Sequence, residues 1–294
     1  MTDVLERILA RKRAEIAAAR AAPAGGAGLP AGWAVATAAT VAVPGAAISA
    51  APGAAGAAES AAPLPDGRFL AALRRGIATR GLALIAEIKR RSPSHGLIRA
   101  DFDAAAIARA YAAGGATCLS VLTDGPDFGG SLADLSAARA ASGLPVLRKD
   151  FIIDAWQLAE ARAAGADCVL IIVAALGAAR ASALIRAAVC DFGLEVLVEV
   201  ASAAELDAAL ASDAVMIGIN TRDLRSLEMD PDRALRLAPR VPPDRLAIAL
   251  SGLRTHAELL RHAEAGVRAF LVGEALMRAP DITAATRRLL GDHG

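Results

Sequence analysis

From Leu82 to the C-terminus, short apolar runs alternate with segments of helical period. The runs are LALIAEI (82–88), CLSVLT (118–123), PVLRKDF (145–151), DCVLIIVA (167–174), LEVLVEV (194–200), VMIGIN (215–220), RLAIALSG (245–252) and AFLVGE (269–274). Val, Ile and Leu dominate them almost without interruption, as strands buried on both faces require. Between them lie Ala/Leu/Arg segments such as DAAAIARAYAAGG, LADLSAARAASG and THAELLRHAEAGV, whose apolar positions recur at helical spacing. Gly114, Gly143, Gly165, Gly193 and Gly266 stand where these helices should stop, each placed for a left-handed C-terminal cap. Eight strand–helix units in series predict an α/β protein with a closed (βα)8 TIM barrel rather than an open doubly wound sheet. No G-x-G-x-x-G follows the first strand, which argues against a dinucleotide fold.

The N-terminal part is organised differently. MTDVLERILARKRAEIAAAR reads as an extra charged amphipathic helix over residues 1–20, with Asp3 and Glu6 at capping-box spacing. It has neither an apolar h-region nor a cleavage site, so it is not a secretory signal. Residues 21–66 read as an Ala/Gly/Pro-rich low-complexity insert, and 21–58 carry no charged side chain. A membrane span there is interrupted by Pro44, Gly45, Pro52 and Gly53 and is built mostly of Ala, so a linker is the better reading and no membrane association is expected. Residues 67–294 form the barrel domain.

Composition narrows the chemistry. Lys and Arg number 32 against 31 Asp and Glu, for a net charge of +1, so a nucleic-acid partner is not expected. Cys118, Cys168 and Cys190 have no metal-ligand spacing, and two lie in apolar runs, as buried thiols of a reducing cytoplasmic compartment would. With four scattered His and no CxxC, a zinc site is not expected.

In a barrel of this kind the C-terminal mouth carries function. The polar residues gather at those strand ends: Glu87 and Lys89 after strand one, Arg148-Lys149-Asp150 on strand three, Glu199 on strand five, and Asn220 with Thr221-Arg222-Asp223 on strand six. Glu87 with Lys89 alone could be a structural ion pair. So many polar groups aimed at one mouth are costly unless they pair with one another or with a ligand. Asp150, Asp223 and Arg225 read instead as loop anchors. Ser251-Gly252 and Gly273-Glu274-Ala275, at the ends of strands seven and eight, offer backbone N–H groups where such barrels hold phosphate, with Arg222 and Lys89 as added cations. Glycines there could equally serve tight turns. A phosphorylated small molecule is the expected partner.

Together, IAEIKRRSPSHGLIRADFD (85–103), CLSVLTD (118–124), LPVLRKDFIID (144–154), GADCVLIIVAAL (165–176), LVEV (197–200), IGINTRDLRSLEMD (217–230) and FLVGEALMRAP (270–280) resemble the indole-3-glycerol phosphate synthase family. The resemblance implies closure of an anthranilate-bearing deoxyribulose 5-phosphate to indole-3-glycerol phosphate, with loss of CO2 and water and with no cofactor or metal. It casts Lys149 as general acid and Lys89 as a ligand of the substrate carboxylate or phosphate. Glu199 becomes the base or the stabiliser of the cationic intermediate, Glu87 the group that orients Lys89, and Asn220 a hydroxyl ligand. Ser92, Arg222, Ser251, Gly252, Gly273 and Glu274 match substrate and phosphate contacts, the last through its backbone amide. Phe151 and Leu224 are candidate apolar walls for the aryl ring. Burial and charge pairing are expected to move the Lys and Glu pKa values toward neutrality. One departure stands out: Leu250 occupies the position before Ser251-Gly252 where the family carries a glutamate. That substitution raises an alternative, a phosphate-binding barrel of reduced or altered activity. An Amadori isomerase ranks lower, because no cysteine ends strand one. Monomers are common for this architecture, and the sequence does not fix the oligomeric state.

Overall fold

Eight parallel strands close on themselves: β1 (Ala83–Ile88), β2 (Cys118–Leu122), β3 (Val146–Lys149), β4 (Cys168–Ile172), β5 (Glu195–Val200), β6 (Met216–Asn220), β7 (Leu246–Leu250) and β8 (Ala269–Val272). The computed structural model describes residues 4–21, 67–226 and 228–292. The expected low-complexity insert and Asp3 of the expected capping box lie outside the described residues. Each strand pairs with the next in sequence, and β8 returns to β1 through Ala83↔Ala269 and Ile85↔Leu271.

Strand side chains alternate between two faces. Ala83 and Ile85, Cys118, Leu147, Cys168 and Leu170, Leu197, Met216, Ile248 and Leu250, Ala269 and Leu271 belong to one buried cluster, which fills the barrel. Leu84, Ala86, Leu119, Val121, Val146, Val169, Val198, Ile217, Ile219 and Phe270 belong to a second, packed beneath the surrounding helices. Burial on both faces is why the strands read as unbroken apolar runs rather than as alternating ones.

Helices start at side-chain caps. Asp154 and Thr255 close full capping boxes with Gln157 and Glu258, and Ser131, Ser202 and Asp281 accept single amide bonds. Four of the five expected helix-ending glycines have positive φ, but Gly114 does not: its φ is −79°, and Gly115 at +91° makes the left-handed step one residue later.

Two helices precede the strands. Helix α2 (Arg68–Arg80), which the alternation from Leu82 does not include, lies against the N-terminal end of the barrel. Its opening amides, Phe69 and Leu70, donate to the Glu195 carboxylate at 2.6 and 2.8 Å. A carboxylate there satisfies amides that have no intrahelical acceptor. Helix α1 (Val4–Ala21) buries Leu5, Ile8, Leu9, Lys12 and Ile16 on one stripe and reaches the opposite end, the mouth. No helix among the described residues is long and apolar enough to cross a membrane.

Charge holds α1 in place. Arg7 pairs with Asp127 at 2.8 Å, Arg11 with Asp124 at 2.7 Å, and Lys12 with Asp124 at 3.0 Å and Asp150 at 2.9 Å. Lys12 is only 5% exposed and Asp124 is fully buried. Burial pushes the Asp150 carboxyl pKa up, but Arg148 and Lys12 outweigh it and hold it down at about 2.

Removing one member of a buried ion pair leaves an uncompensated charge. Lys12→Met should therefore lower stability by about 3 kcal/mol, read as a lower urea midpoint at unchanged slope. A carboxyl whose folded pKa is depressed stabilises the fold above its unfolded pKa of about 3.9, and that stability is lost as pH falls toward 2. The gap between variant and wild type should accordingly narrow over that acid range. A constant gap would show that Lys12 acts through packing alone.

Candidate active site

The barrel register brings side chains from every part of the chain to one mouth. Glu87, Lys89, Ser92, Lys149, Phe151, Glu199, Asn220, Arg222, Leu224, Ser251, Gly252, Gly273 and Glu274 all line a single cavity of about 400 Å³. Val4, Leu5 and Ile8 of α1, Phe128 and Arg254 line it too, and the strand-end reading does not reach them. The signal for α1 was the apolar stripe at 5, 8, 9 and 16, which needed a partner surface. Phe128 and Phe151 stand 6.3 Å apart, centroid to centroid, as one aromatic wall.

Glu87 is the centre of the charged floor. Its Oε1 lies 2.6 Å from Lys89 Nζ and its Oε2 3.4 Å from Lys149 Nζ. Burial opposes its charge, yet the two ammonium groups prevail and hold its pKa at about 2. The Tyr111 hydroxyl donates to the Glu87 carbonyl at 3.0 Å, pinning the strand end beneath it. Gly273 is also required: a Cβ built there would sit 2.5 Å from Glu87 Oε1.

Glu199 faces Lys149 from the other side. Its Oε1 accepts from Asn220 Nδ2 at 2.8 Å, and Asn220 Oδ1 in turn accepts from the Arg222 amide at 3.0 Å. Burial raises the Glu199 pKa above its ordinary value, against the pull of Lys149 and the Asn220 bond. Lys149 goes the opposite way to expectation. Burial alone would lower its pKa, but Glu87 and Glu199 outweigh it and the net shift is upward, away from neutrality. With two carboxylates facing one ammonium, the ion pairs win.

The anchoring residues lie as read. Asp150 accepts from Thr123 Oγ1 at 2.7 Å and from its neighbour's amide, Phe151 N, at 2.8 Å. Asp223 Oδ1 accepts from the amides of Arg225 and Ser226 at 2.7 and 2.9 Å, shaping the loop after β6. Arg148 leaves the mouth altogether and bonds the Gln157 carbonyl at 2.7 Å.

At the ends of β7 and β8 the backbone is exposed to the cavity. Ser251 has φ +66° and Gly252 φ +79°, and Ser251 is the only non-glycine residue with positive φ among those described. A serine held there is strained, and such strain gathers at binding sites. The short helix Glu274–Met277 opens at Gly273, where amides have no intrahelical acceptor. Ser92 Oγ is buried and has no partner among the described residues. Leu250 is 1% exposed and does not line the cavity. It fills the barrel interior opposite Gly218, where a Cβ would come within 2.7 Å of Leu250 Cδ1.

Fold and site define the class: a (βα)8-barrel enzyme with a lysine–carboxylate cluster and a rim of exposed backbone amides at its C-terminal mouth. The family model for indole-3-glycerol phosphate synthase matches residues 46–289. An indole-3-glycerol phosphate synthase of Azospirillum brasilense is 55% identical over 226 residues, 77% of this chain and 86% of that protein. One from Aromatoleum aromaticum is 44% identical over 291 residues, 99% of this chain and 100% of that protein. The chain belongs to the indole-3-glycerol phosphate synthase family. A thiamine phosphate pyrophosphorylase from Pyrococcus furiosus shares the fold at TM-score 0.53 and 16% identity, covering 71% of this chain and 94% of that one. Nothing in these likenesses supports the alternative of a barrel with impaired chemistry, and in the structure Leu250 is a core packing residue.

The contact at Gly273 is testable. Gly273→Ala should push Glu87 off both lysines, and misplacing a reacting group by about 1 Å costs on the order of 10²-fold in rate. Steady-state kinetics beside a thermal melt would show lost turnover with the fold retained; wild-type turnover would show that Glu87 can move without consequence.

Proposed function

We propose that the chain closes 1-(2-carboxyphenylamino)-1-deoxyribulose 5-phosphate to indole-3-glycerol phosphate, releasing CO2 and water, as a decarboxylating lyase of tryptophan biosynthesis. The observation that carries this reading is the Lys149 ammonium held between Glu87 and Glu199 at the foot of a pocket with an aromatic wall. Ring closure needs a proton on the ketone oxygen as the aryl carbon attacks. Lys149 is charged and fixed in place by its carboxylates, so it is the donor. Lys89, on its short bond to Glu87, receives the substrate carboxylate or phosphate. The phosphate lies at Ser251-Gly252 and the amides opening Glu274–Met277, with Arg222 adding charge. Ser92 Oγ, buried and without a partner among the described residues, supplies a further bond.

Attack leaves a cationic ring intermediate bearing the carboxylate on the reacting carbon. Loss of CO2 restores the aromatic ring, and the Phe128–Phe151 wall favours that step because dispersing charge is easier in apolar surroundings. Dehydration then needs a base for a carbon-bound proton, and Glu199, whose proton affinity is raised by burial, takes it. Asn220 holds Glu199 and meets the departing hydroxyl, which leaves as water on a proton from the Lys89 ammonium. A cytoplasmic setting fits the three free thiols Cys118, Cys168 and Cys190.

The test is to add the anthranilate deoxyribulose phosphate and follow indole fluorescence. Product should accumulate with wild-type protein, and its absence at high enzyme concentration would overturn the assignment. Lys149→Ala should lose roughly 10²- to 10⁴-fold in kcat, while Arg222→Ala should act mainly on KM. Because Glu199 must be ionised to act as base, the acidic limb of kcat/KM should lie above the ordinary carboxylate value of 4.5. A limb below that value would exclude Glu199 as the base.

A further inference from the structure

The proposed reaction consumes a proton. Closure places one on the ketone oxygen, loss of water requires a second, and only one returns from carbon, while the carboxylate departs as CO2 without releasing any. Each turnover therefore draws one proton from solvent to the Lys149–Glu199 cluster, and a route apart from the mouth would deliver it while substrate or product occupies the mouth. We propose that it enters through a small side cavity behind Glu199, relayed by Glu205, a positioning residue that stands between Glu199 and solvent. The inference rests on the reading of Glu199 as a proton-transfer group.

The cavity measures about 30 Å³, room for a water molecule or two, and is lined by Glu199, Glu205, Asp223, Arg225, Ile172 and Ala174 among others. Four of these six carry ionisable side chains, enough partners to hold water in place. Glu199 is 3% exposed and lines both the main mouth and this cavity. Glu205 is half-buried near the start of the helix Ala203–Leu210, and its amide donates to Ser202 Oγ at 3.2 Å. Its Oε2 accepts from the Ala201 amide at 2.8 Å, which folds the side chain back toward the end of β5. That bond orients one oxygen and leaves Oε1 for the cavity.

Every element around Glu199 contributes a charged or hydrogen-bonding group. Lys149 faces it from β3, Asn220 from β6 and Glu87 from β1, while Asp223 and Arg225 stand across the side cavity. Burial raises its proton affinity, Lys149 and Asn220 lower it, and Glu205 and Glu87 raise it again. Glu205 thus keeps Glu199 able to accept a proton as well as connected to its source. As a helix cap alone, Glu205 would need only an acceptor oxygen, which glutamine also provides.

That difference decides the experiment. On the full chain, kcat and KM are measured across pH for wild type, Glu205→Gln, Glu205→Asp and Glu199→Gln, with solvent isotope effects on kcat. Glu205→Gln keeps the cap and loses the ionisable group. Its acidic limb of kcat/KM should move to lower pH, its kcat should fall several-fold at constant KM, and its solvent isotope effect should grow. Glu205→Asp should keep the limb near its wild-type position. A wild-type profile in Glu205→Gln overturns the relay, and so does an equal loss in both variants, which would mean capping alone. Glu199→Gln separates the two levels: if it retains the wild-type limb, the reading of Glu199 has failed, whereas its loss beside a silent Glu205→Gln overturns the relay only.

Discussion

Everything at the mouth depends on burying charge in balanced sets. A lone carboxylate or ammonium in a barrel interior would neutralise itself or destabilise the fold. Here each has its counterpart on another strand or on α1. Glu87 meets Lys89 and Lys149, Glu199 meets Lys149 and Asn220, and Asp150 meets Arg148 and Lys12. The pairings between strands exist only at one register, because a slip by a single residue would turn Glu87, Lys149 and Glu199 toward the helices. Charge balance and barrel closure therefore specify each other.

The two charged sets meet at neighbouring residues with opposite orientations. Lys149 points into the mouth, while Arg148 and Asp150 on either side point toward the helices and α1. The strand alternation converts one tripeptide into both a cavity-lining cation and its scaffold. Through Asp150 and Asp124, α1 is tied to the ends of β2 and β3, and with it Leu5 and Ile8 close the apolar side of the pocket. Structure outside the barrel thus completes the site inside it.

The strands were legible because two-sided burial writes an unmistakable run of Val, Ile and Leu, and the mouth because its residues follow those runs directly. What the sequence could not show was pairing over distance. Lys12 lies more than a hundred positions from Asp124 and Asp150, and no periodicity links them. The direction of the Lys149 shift escaped for a related reason: burial and ion pairing oppose each other, and only the distances to Glu87 and Glu199 decide between them. Leu250 could be read as a missing carboxylate by pattern, yet its place beside Gly218 shows a side chain fitted into the interior. Gly114 and Gly115 differ only in which takes the left-handed step, a choice that a Gly-Gly pair leaves to packing.

The same balance bears on how an anionic substrate is admitted. Lys89, Lys149, Arg222 and Arg254 balance Glu87, Asp150, Glu199 and Glu274 around the cavity before any ligand arrives. The substrate brings a carboxylate and a phosphate, the latter with about −1.5 to −2 charge at neutral pH. Lys89 is already oriented by Glu87 at 2.6 Å, so in the proposed reaction accepting the substrate would exchange or share one carboxylate partner rather than order a free ammonium. Glu87 thereby lowers the reorganisation that binding requires, and its depressed pKa keeps it charged throughout. A neutral side chain at that position would leave both lysines to be ordered by the substrate itself, at the expense of the binding energy that positions the aryl carbon against the ketone.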